Sequence, residues 1–313
     1  MREFVIVSDT SCDLSKEVIK DFNINIIKSH YKGKDGVDRF AFIDWNECEE
    51  FKSKADFDKA LKASPDKFST SAPTPEEIYK YFTEFVKEGK DILVVSISLK
   101  ISSAYNFYLK AKEKIEEEYP DSKIYVINTS RYGAGIGLVA INASIMRDKG
   151  MSIDEVYNNL SKNINKYHQM GWVDDLNFVA KKGRITHAKA FIGQLIGIKA
   201  LGEFNEVGLT SVVGKAVGEA KAFNAMIKYI EKEIVNPEEQ VILILHSSRE
   251  KQALKYKELI EEKFHPKKIY LSEIGVMSGI NVGPGLISAY FIGKEISSDL
   301  SKETKLMEEI LQA

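Results

Sequence analysis

The first half of the chain alternates between short apolar runs and amphipathic segments. Four continuous apolar runs predict strands that are covered on both faces, at Phe4 to Ser8, Ile24 to Ile27, Asp91 to Ser98 and Ile124 to Asn128. The segments between them have helical periodicity over about Ser15 to Asp21, Thr74 to Lys87, Ser102 to Glu118 and Gly133 to Lys149. This alternation predicts a parallel, doubly wound sheet in a Rossmann-like α/β domain over residues 1–150.

The second half has a different order of elements. A capping box at Ser152 to Glu155 predicts a helix that runs to about His168. Strands are predicted near Trp172 and at Ile196 to Phe204, Leu209 to Val213, Val241 to His246 and Lys268 to Ile274, with a hairpin turn at Asn205 to Gly208. Long helices are predicted at Lys215 to Ile234 and Arg249 to Lys263. The pattern predicts an α+β domain with a mixed or antiparallel sheet over residues 151–313.

Length and charge narrow the classes of function. With 313 residues, of which 44% are apolar and 29% charged, the chain is long enough for two hydrophobic cores. A formal net charge of -2 gives no field that would recruit nucleic acid or an anionic membrane. Cys12 and Cys48 lack CxxC spacing, which argues against a disulfide framework. We expect a cytoplasmic protein with no nucleic-acid partner and no stable membrane insertion, because no apolar stretch approaches the length of a membrane span.

Two phosphate-binding patterns fail on spacing. Between Gly208 and Gly214 lie five residues instead of four, and Ala216 stands where a magnesium-binding Ser or Thr is required. Gly135, Gly137 and Ala140 fit GxGxxA, but six residues separate them from the preceding strand. We interpret these glycines as positions of close helix packing, and we predict no cofactor and no metal.

A catalytic alternative depends on His246, which ends an apolar strand. The sequence contains neither HExxH nor GxSxG, and a lone histidine at a strand end is more often structural than catalytic. A hydrolase or transferase of acyl or phosphoryl esters that uses Ser98 or Ser102 with His246 stays open as the alternative to a binding function.

Hydroxyl side chains gather at predicted strand ends. In the stretch FSTSAPTPEE, Thr74 and Glu77 form a capping box, which leaves Thr70 and Ser71 without a role in that helix. Ser96 and Ser98 close the next apolar strand. Ligands of parallel sheets bind outside the carboxyl ends of the strands, so these hydroxyls are expected to converge there. Without a strong nucleophile or base beside them, they favour binding of an oxyanion over chemistry upon it.

Six blocks in order resemble the DegV family of bacterial fatty-acid-binding proteins. The blocks are VSDTSCDLS from Val7, TSAP from Thr70, SISLKISSAY from Ser96, VINTSRYGAGIG from Val126, DDLNFVAKKGRI from Asp174 and IGVMSGINVGPG from Ile274. The resemblance implies two α/β domains with a long-chain fatty acid buried in a tunnel between them. It also implies a non-enzymatic carrier, some relatives of which hand the acid to an ATP-dependent fatty acid kinase that forms an acyl phosphate.

The resemblance also implies a carboxylate site. Carried over by position, the ligands are Thr70 and Ser98, and we add Ser71, Asn281 and Arg184 as candidates. Arg184 could equally pair with Asp174 or Asp175. The apolar residues of Ile192 to Ile198 and Leu286 to Ile292 line the predicted tunnel or belong to an ordinary core.

Three positions depart from the family pattern. Leu99 replaces a serine of the presumed head-group site, and Asn281 replaces a histidine, which removes a titratable group but keeps a hydrogen-bond donor. The segment Ser211 to Ala220 retains only Lys215 where relatives that work with the kinase tend to carry a basic run. Fatty-acid binding is therefore better supported than partnership with the kinase.

Overall fold

The computed structural model describes residues 2–183 and 197–313. Strands within these ranges are β1 (Phe4–Asp9), β2 (Ile24–Ile27), β3 (His30–Lys32), β4 (Asp38–Phe40), β5 (Ser69–Ser71), β6 (Asp91–Ser96), β7 (Ile124–Asn128), β8 (Tyr167–Trp172), β9 (Ile198–Phe204), β10 (Thr210–Val217), β11 (Val241–His246), β12 (Lys268–Glu273) and β13 (Ile287–Ile292). They form three sheets.

The helices within the same ranges connect and cover these sheets. They are α1 (Lys16–Asp21), α2 (Lys54–Ala63), α3 (Pro75–Lys87), α4 (Ala104–Glu118), α5 (Ala134–Asp148), α6 (Ile153–Asn163), α7 (Leu176–Lys181), α8 (Glu219–Glu233), α9 (Glu250–Phe264), α10 (Val276–Val282) and α11 (Ser301–Gln312). Both predicted capping boxes are present, since Thr74 and Ser152 accept from the backbone N–H three residues on and the matching glutamate bonds back.

The N-terminal sheet is parallel, as the sequence predicts. Its strand order is β2-β1-β6-β7, and every pairing within it is parallel. β1 and β6 are buried along their whole length, because helices cover both faces of the sheet. The carboxyl ends of β1, β6 and β7 therefore meet at one edge.

The C-terminal sheet is mixed, which also confirms the prediction. Its order is β10-β9-β8-β13-β11-β12, with β11 and β12 parallel and the remaining pairs antiparallel. One apolar core extends from the N-terminal sheet onto the facing side of this sheet, through Phe204, Leu245 and Tyr290. A separate core lies under α8, α9 and α11 on the other side. The strands of the first sheet all precede residue 150 and those of the second all follow it, while the division at that residue stays a prediction.

Two predicted helices are too long. The helix expected to reach His168 ends at Asn163, and His168 lies in β8, where its Nδ1 is 2.8 Å from a carboxylate oxygen of Glu203. The helix expected from Lys215 begins at Glu219, because β10 continues to Val217 and Gly218 then turns with a φ of +79°. In both places, pairing with a neighbouring strand prevails over local helical pattern.

The third sheet was not predicted. β3 pairs with β4 on one side and with β5 on the other, and each strand has three residues. A small core of Tyr31, Phe57, Phe68 and residues of α10 supports it. Thr70 lies opposite Tyr31 in this sheet. Thr70 and Ser71 therefore belong to an edge strand and are not merely a lead-in to α3.

Candidate functional site

A cavity of about 360 Å³ opens at the carboxyl ends of the parallel strands. Its polar lining consists of Asp9, Ser11, Ser29, Thr70, Ser71, Ser102, Ser103, Tyr132, Ser278 and Asn281. Its apolar lining consists of Ala72, Ile97, Ile101, Ala104, Phe107, Met277 and Val282. Among the described residues, no lysine, arginine or histidine lines this space. It therefore joins hydroxyl and amide groups and one carboxyl group, that of Asp9, to an apolar wall.

Thr70 and Asn281 meet in this cavity although 211 positions separate them. Nδ2 of Asn281 donates to Oγ1 of Thr70 over 3.1 Å and to the carbonyl of Met277 over 2.9 Å. Since a hydroxyl has a single proton, Thr70 that accepts from Asn281 retains its own O–H for donation. Ser71 lines the same cavity. The structure thus brings three of the five predicted site residues together.

Ser98 lies outside the described lining of the cavity. Its Oγ donates to the carbonyl of Val207 over 2.7 Å and accepts from the amide of Lys100 over 3.2 Å. These bonds fasten the loop after β6 to the hairpin between β9 and β10. Direct contact between Ser98 and a ligand stays a prediction, and the observed bonds indicate a positioning role. Arg184 and most of Ile192 to Ile198 lie outside the described residues.

Ser102 and Ser103, which follow Ser98 closely along the chain, line the cavity, whereas Ser98 is not among its described lining residues. Ser102 accepts from the amide of Ala104 over 3.2 Å in the turn that precedes α4, and it also lines the cavity, whereas the N-cap residue of α4 is Ser103. Ser278 was missed entirely. It lies three residues before Asn281 on α10, and this spacing on a helix places both on one face.

Asp9 supplies the charged group of the cavity lining. Its Oδ1 accepts from the amide of Ser11 over 2.8 Å and from the Ser11 hydroxyl, and its Oδ2 accepts from the hydroxyl of Tyr108 over 3.1 Å. Burial raises the pKa of Asp9, and the bonds from Ser11 and Tyr108 only partly oppose this effect. Proton uptake by Asp9 would lessen its repulsion of an anionic ligand.

A second, smaller cavity of about 40 Å³ adjoins the first through Tyr132 and Val282, which line both. It lies over the face of the C-terminal sheet formed by β8, β9, β10 and β13, and Leu176 and Val179 of α7 also line it. Leu286, which was predicted to line a tunnel, lines it. Together the cavities give a polar end and a mostly apolar end.

The geometry does not assemble the alternative catalytic group. His246 is not among the described residues that line either cavity, and its Nδ1 accepts from the amide of Arg249 over 3.5 Å and lies 4.0 Å from Glu273. Burial lowers the pKa of His246. With the Ser98 hydroxyl donating to Val207, a Ser98–His246 pair is not formed.

Residues 2–183 and 197–313 contain no helix with the length and apolar character needed to cross a membrane. Nor do they bring together three or more His, Cys, Asp or Glu side chains in a way that could hold a metal ion.

Comparison with known proteins assigns the chain to a family. The model of the DegV family matches residues 3–294. A DegV domain-containing protein of Clostridium perfringens is 35% identical over 293 residues, which cover 94% of this chain and 98% of that protein.

Solved structures show the same fold. A DegV family protein of Thermus thermophilus, described as binding fatty acid, has a TM-score of 0.81 at 20% identity and covers 94% of this chain and 100% of its own. A DegV lipid-binding protein of Thermotoga maritima has a TM-score of 0.79 at 22% identity, with 94% and 99% covered. The family match extends over nearly the whole described fold, and the chain belongs to the DegV family.

Proposed function

We propose that this protein binds a long-chain fatty acid, with the carboxylate at Thr70 and the acyl chain directed toward the second cavity. The observation that carries the proposal is the hydrogen bond from Asn281 to Thr70 in the polar cavity, which adjoins the mostly apolar second cavity. It leaves the Thr70 O–H to donate to an acceptor, and a carboxylate is an acceptor only. The fatty acids and lipids bound by the relatives named above support the same class of ligand.

The energetics fit such a ligand. Each methylene moved from water to an apolar wall contributes about 0.8 kcal/mol, so a palmitoyl chain supplies on the order of 11 kcal/mol before the costs of association. A hydrogen bond to a charged group contributes about 1.5 to 3 kcal/mol. Donors from Thr70, Ser71, Ser102 and Ser103 would therefore offset desolvation of the carboxylate and fix its position, while the chain supplies affinity.

Ser98 and Arg184 have different places in this proposal. Ser98 holds the loop that carries Ser102 and Ser103, through its bonds to Val207 and Lys100. Arg184 follows Gly183 directly and remains a predicted partner of the carboxylate. Lys215 is exposed on the edge strand β10. It is the basic residue that the chain retains from the basic run of relatives that work with the kinase. Delivery of the acid to a fatty acid kinase therefore remains a prediction.

Mass spectrometry of the denatured protein tests the binding proposal directly. A fatty acid that co-purifies in near-equal amount, or micromolar or tighter binding of palmitate or oleate to delipidated protein, is the expected result. Protein that carries no acid and binds neither in titration would refute it. Delivery is tested separately, by adding a fatty acid kinase and ATP to the loaded protein and measuring acyl phosphate.

A further inference from the structure

The floor of the second cavity is a row of residues across four strands of the C-terminal sheet. Ser288 of β13 lies opposite Gly171 of β8, Gly171 lies opposite Gly202 of β9, and Gly202 lies opposite Val212 of β10. All four line the cavity. Two adjacent glycines leave the middle of this row without side chains.

Neither glycine can readily be replaced by a larger residue, because a neighbouring strand approaches each of them closely. A Cβ at position 171 would come within 2.1 Å of the Ile287 carbonyl oxygen, which belongs to the backbone of the next strand. A Cβ at position 202 would lie 2.6 Å from Cγ2 of Thr210. Ser288 therefore faces an opposite residue that has no side chain with which to pair.

The Ser288 hydroxyl is buried and without a partner among the described residues. Ser288 is 2% exposed, and its Oγ makes no hydrogen bond. Burial raises the pKa of Tyr290 well above its usual range and the nearby Ser288 hydroxyl opposes this effect, yet the two hydroxyls do not meet the geometry of a hydrogen bond. Most buried side-chain polar atoms in proteins are paired, and leaving one unpaired costs about 1 to 3 kcal/mol.

Each of the other polar side chains that line this cavity makes at least one hydrogen bond. Nε2 of Gln169 donates to Oγ1 of Thr210 over 2.6 Å, and the hydroxyl of Tyr132 bonds to the same oxygen. The remaining walls include Trp172, Val173 and Ala200. A water molecule needs two to four polar partners to be held in such a place. Ser288 offers one, so an oxygen carried in by a ligand is the better match.

We propose that the acyl chain bound here carries a hydroxyl group remote from its carboxylate, and that Ser288 recognises this group. The inference rests on the proposed function, because it assumes that the chain passes Tyr132 and Val282 from the first cavity into the second. The ligand class is thus a hydroxylated long-chain fatty acid. Ser288 determines specificity, and the carboxylate donors at Thr70 stay common to both hydroxylated and plain acids.

The test uses delipidated full-length protein and a series of stearic acids with the hydroxyl at carbon 10, 12 or 18, each compared with stearate itself. At least one hydroxystearate should bind about tenfold tighter than stearate, as expected for one added buried hydrogen bond. In Ser288→Ala this advantage should vanish while stearate binds as well as before. Ser288→Cys, which keeps the volume and offers only a weak donor, should lose most of the advantage. Ser69→Ala, outside the described lining of either cavity, should keep it.

The outcomes separate the two proposals. If stearate binds but no hydroxystearate binds tighter, the inference is wrong and fatty-acid binding stands. If a hydroxystearate is preferred equally by wild type and Ser288→Ala, Ser288 is not the recognising group and the inference is again wrong. If no acid binds, the proposed function fails and the inference falls with it.

Discussion

The side-chain amide of Asn281 donates to the hydroxyl of Thr70, and this bond joins helix α10 to the edge strand β5. It orients Thr70 so that the hydroxyl proton is available to a ligand. Asn281 occupies the position at which the family pattern has a histidine. The link at this position does not titrate, because an amide has no proton to lose or gain near neutral pH.

Removing the Thr70 hydroxyl should weaken binding of a free acid selectively. Thr70→Val keeps the shape and the β-branched backbone preference but has no donor. Loss of a hydrogen bond to a carboxylate predicts a decrease in palmitate affinity of about 10- to 100-fold. Methyl palmitate, which has no charge, should lose much less. Calorimetric titration of both ligands measures this difference.

Ser69→Ala is the matched control for that experiment, since Ser69 is an exposed residue on the same strand. It should bind both ligands as the wild type does. Equal losses for the acid and the ester in Thr70→Val would remove Thr70 from the carboxylate site.

Ser98 and Ser102 should respond to substitution in opposite ways. Ser98→Ala removes the donor to the Val207 carbonyl and the acceptor of the Lys100 amide, so the free energy of unfolding should fall by about 1 to 2 kcal/mol with little change in affinity. Ser102→Ala should lower palmitate affinity roughly tenfold. Urea denaturation and ligand titration of both variants give the comparison. If Ser98→Ala loses affinity without losing stability, Ser98 contacts the ligand after all.

Asp13 should make the protein less stable as the pH rises. Its Oδ1 accepts from the Gly275 amide over 2.9 Å, its Oδ2 has no partner among the described residues, and burial raises its pKa to about 7. A raised carboxyl pKa means that the folded state holds the proton more tightly, so the stabilisation is complete below the unfolded value of 3.8 and is lost through about pH 7.

Asp13→Asn removes this dependence. Asparagine can still accept from Gly275 and tolerates the positive φ of 51° at this position. Relative to the wild type, its free energy of unfolding should rise between pH 4 and pH 8, with an upper limit of about 4 kcal/mol for a pKa displaced from 3.8 to about 7. Urea denaturation across this range tests it, with the exposed Asp66→Asn as control. A constant difference between Asp13→Asn and wild type would contradict the assignment.

The sequence correctly predicted the strands and helix caps that depend on residues close to one another along the chain. β1, β6 and β7 are apolar runs that helices cover on both sides, and the caps at Thr74 and Ser152 involve residues three apart. The sheet of β3, β4 and β5 was missed because its strands are three residues long and carry polar side chains. Their pairing joins His30 to Ser71 across the chain, which no local window contains.

For the candidate site too, the sequence identified some residues and missed the role of others. The family resemblance marked Thr70, Ser71 and Asn281, and these three lie in one cavity. The resemblance could not predict where the Ser98 hydroxyl points, because its partner is the carbonyl of Val207, 109 positions away. Ser288 lies in a continuous apolar strand where a single serine is unremarkable by sequence. Its significance comes from Gly171 opposite it, which only the strand register reveals.

A buried ion pair within α2 is hydrogen-bonded to Ser247 and Ser248, which follow β11. Nζ of Lys54, on α2, donates to Oδ1 of Asp58 and to Oγ of Ser247 over 3.2 Å, and Ser248 donates to the other oxygen of Asp58. The side chains of Lys54 and Asp58 are 8% and 11% exposed. Burial lowers the pKa of Lys54, and the carboxylate of Asp58 opposes this effect.

Replacing Lys54 alone should lower the free energy of unfolding more than replacing both Lys54 and Asp58 with apolar residues. Lys54→Met leaves a buried carboxylate without its cation, and we expect a loss of about 3 kcal/mol in the free energy of unfolding. In Lys54→Met/Asp58→Leu no charge is left unpaired, so the double variant should be more stable than the sum of the single effects predicts, by about 1 to 3 kcal/mol. Urea denaturation of the four proteins measures this coupling, and strictly additive losses would show that the pair contributes nothing as a pair.

Lys54→Met should also weaken ligand binding, because it affects strand β5, which carries Thr70. Because α2 belongs to the unit that includes the small sheet, loosening its attachment at Ser247 allows Thr70 to move relative to Asn281. Lys54→Met should therefore bind palmitate severalfold more weakly, whereas Lys62→Met, an exposed lysine on the same helix, should leave both stability and affinity unchanged. Unaltered palmitate affinity in a Lys54→Met variant that has lost stability would show that the small sheet holds Thr70 in place without this anchor.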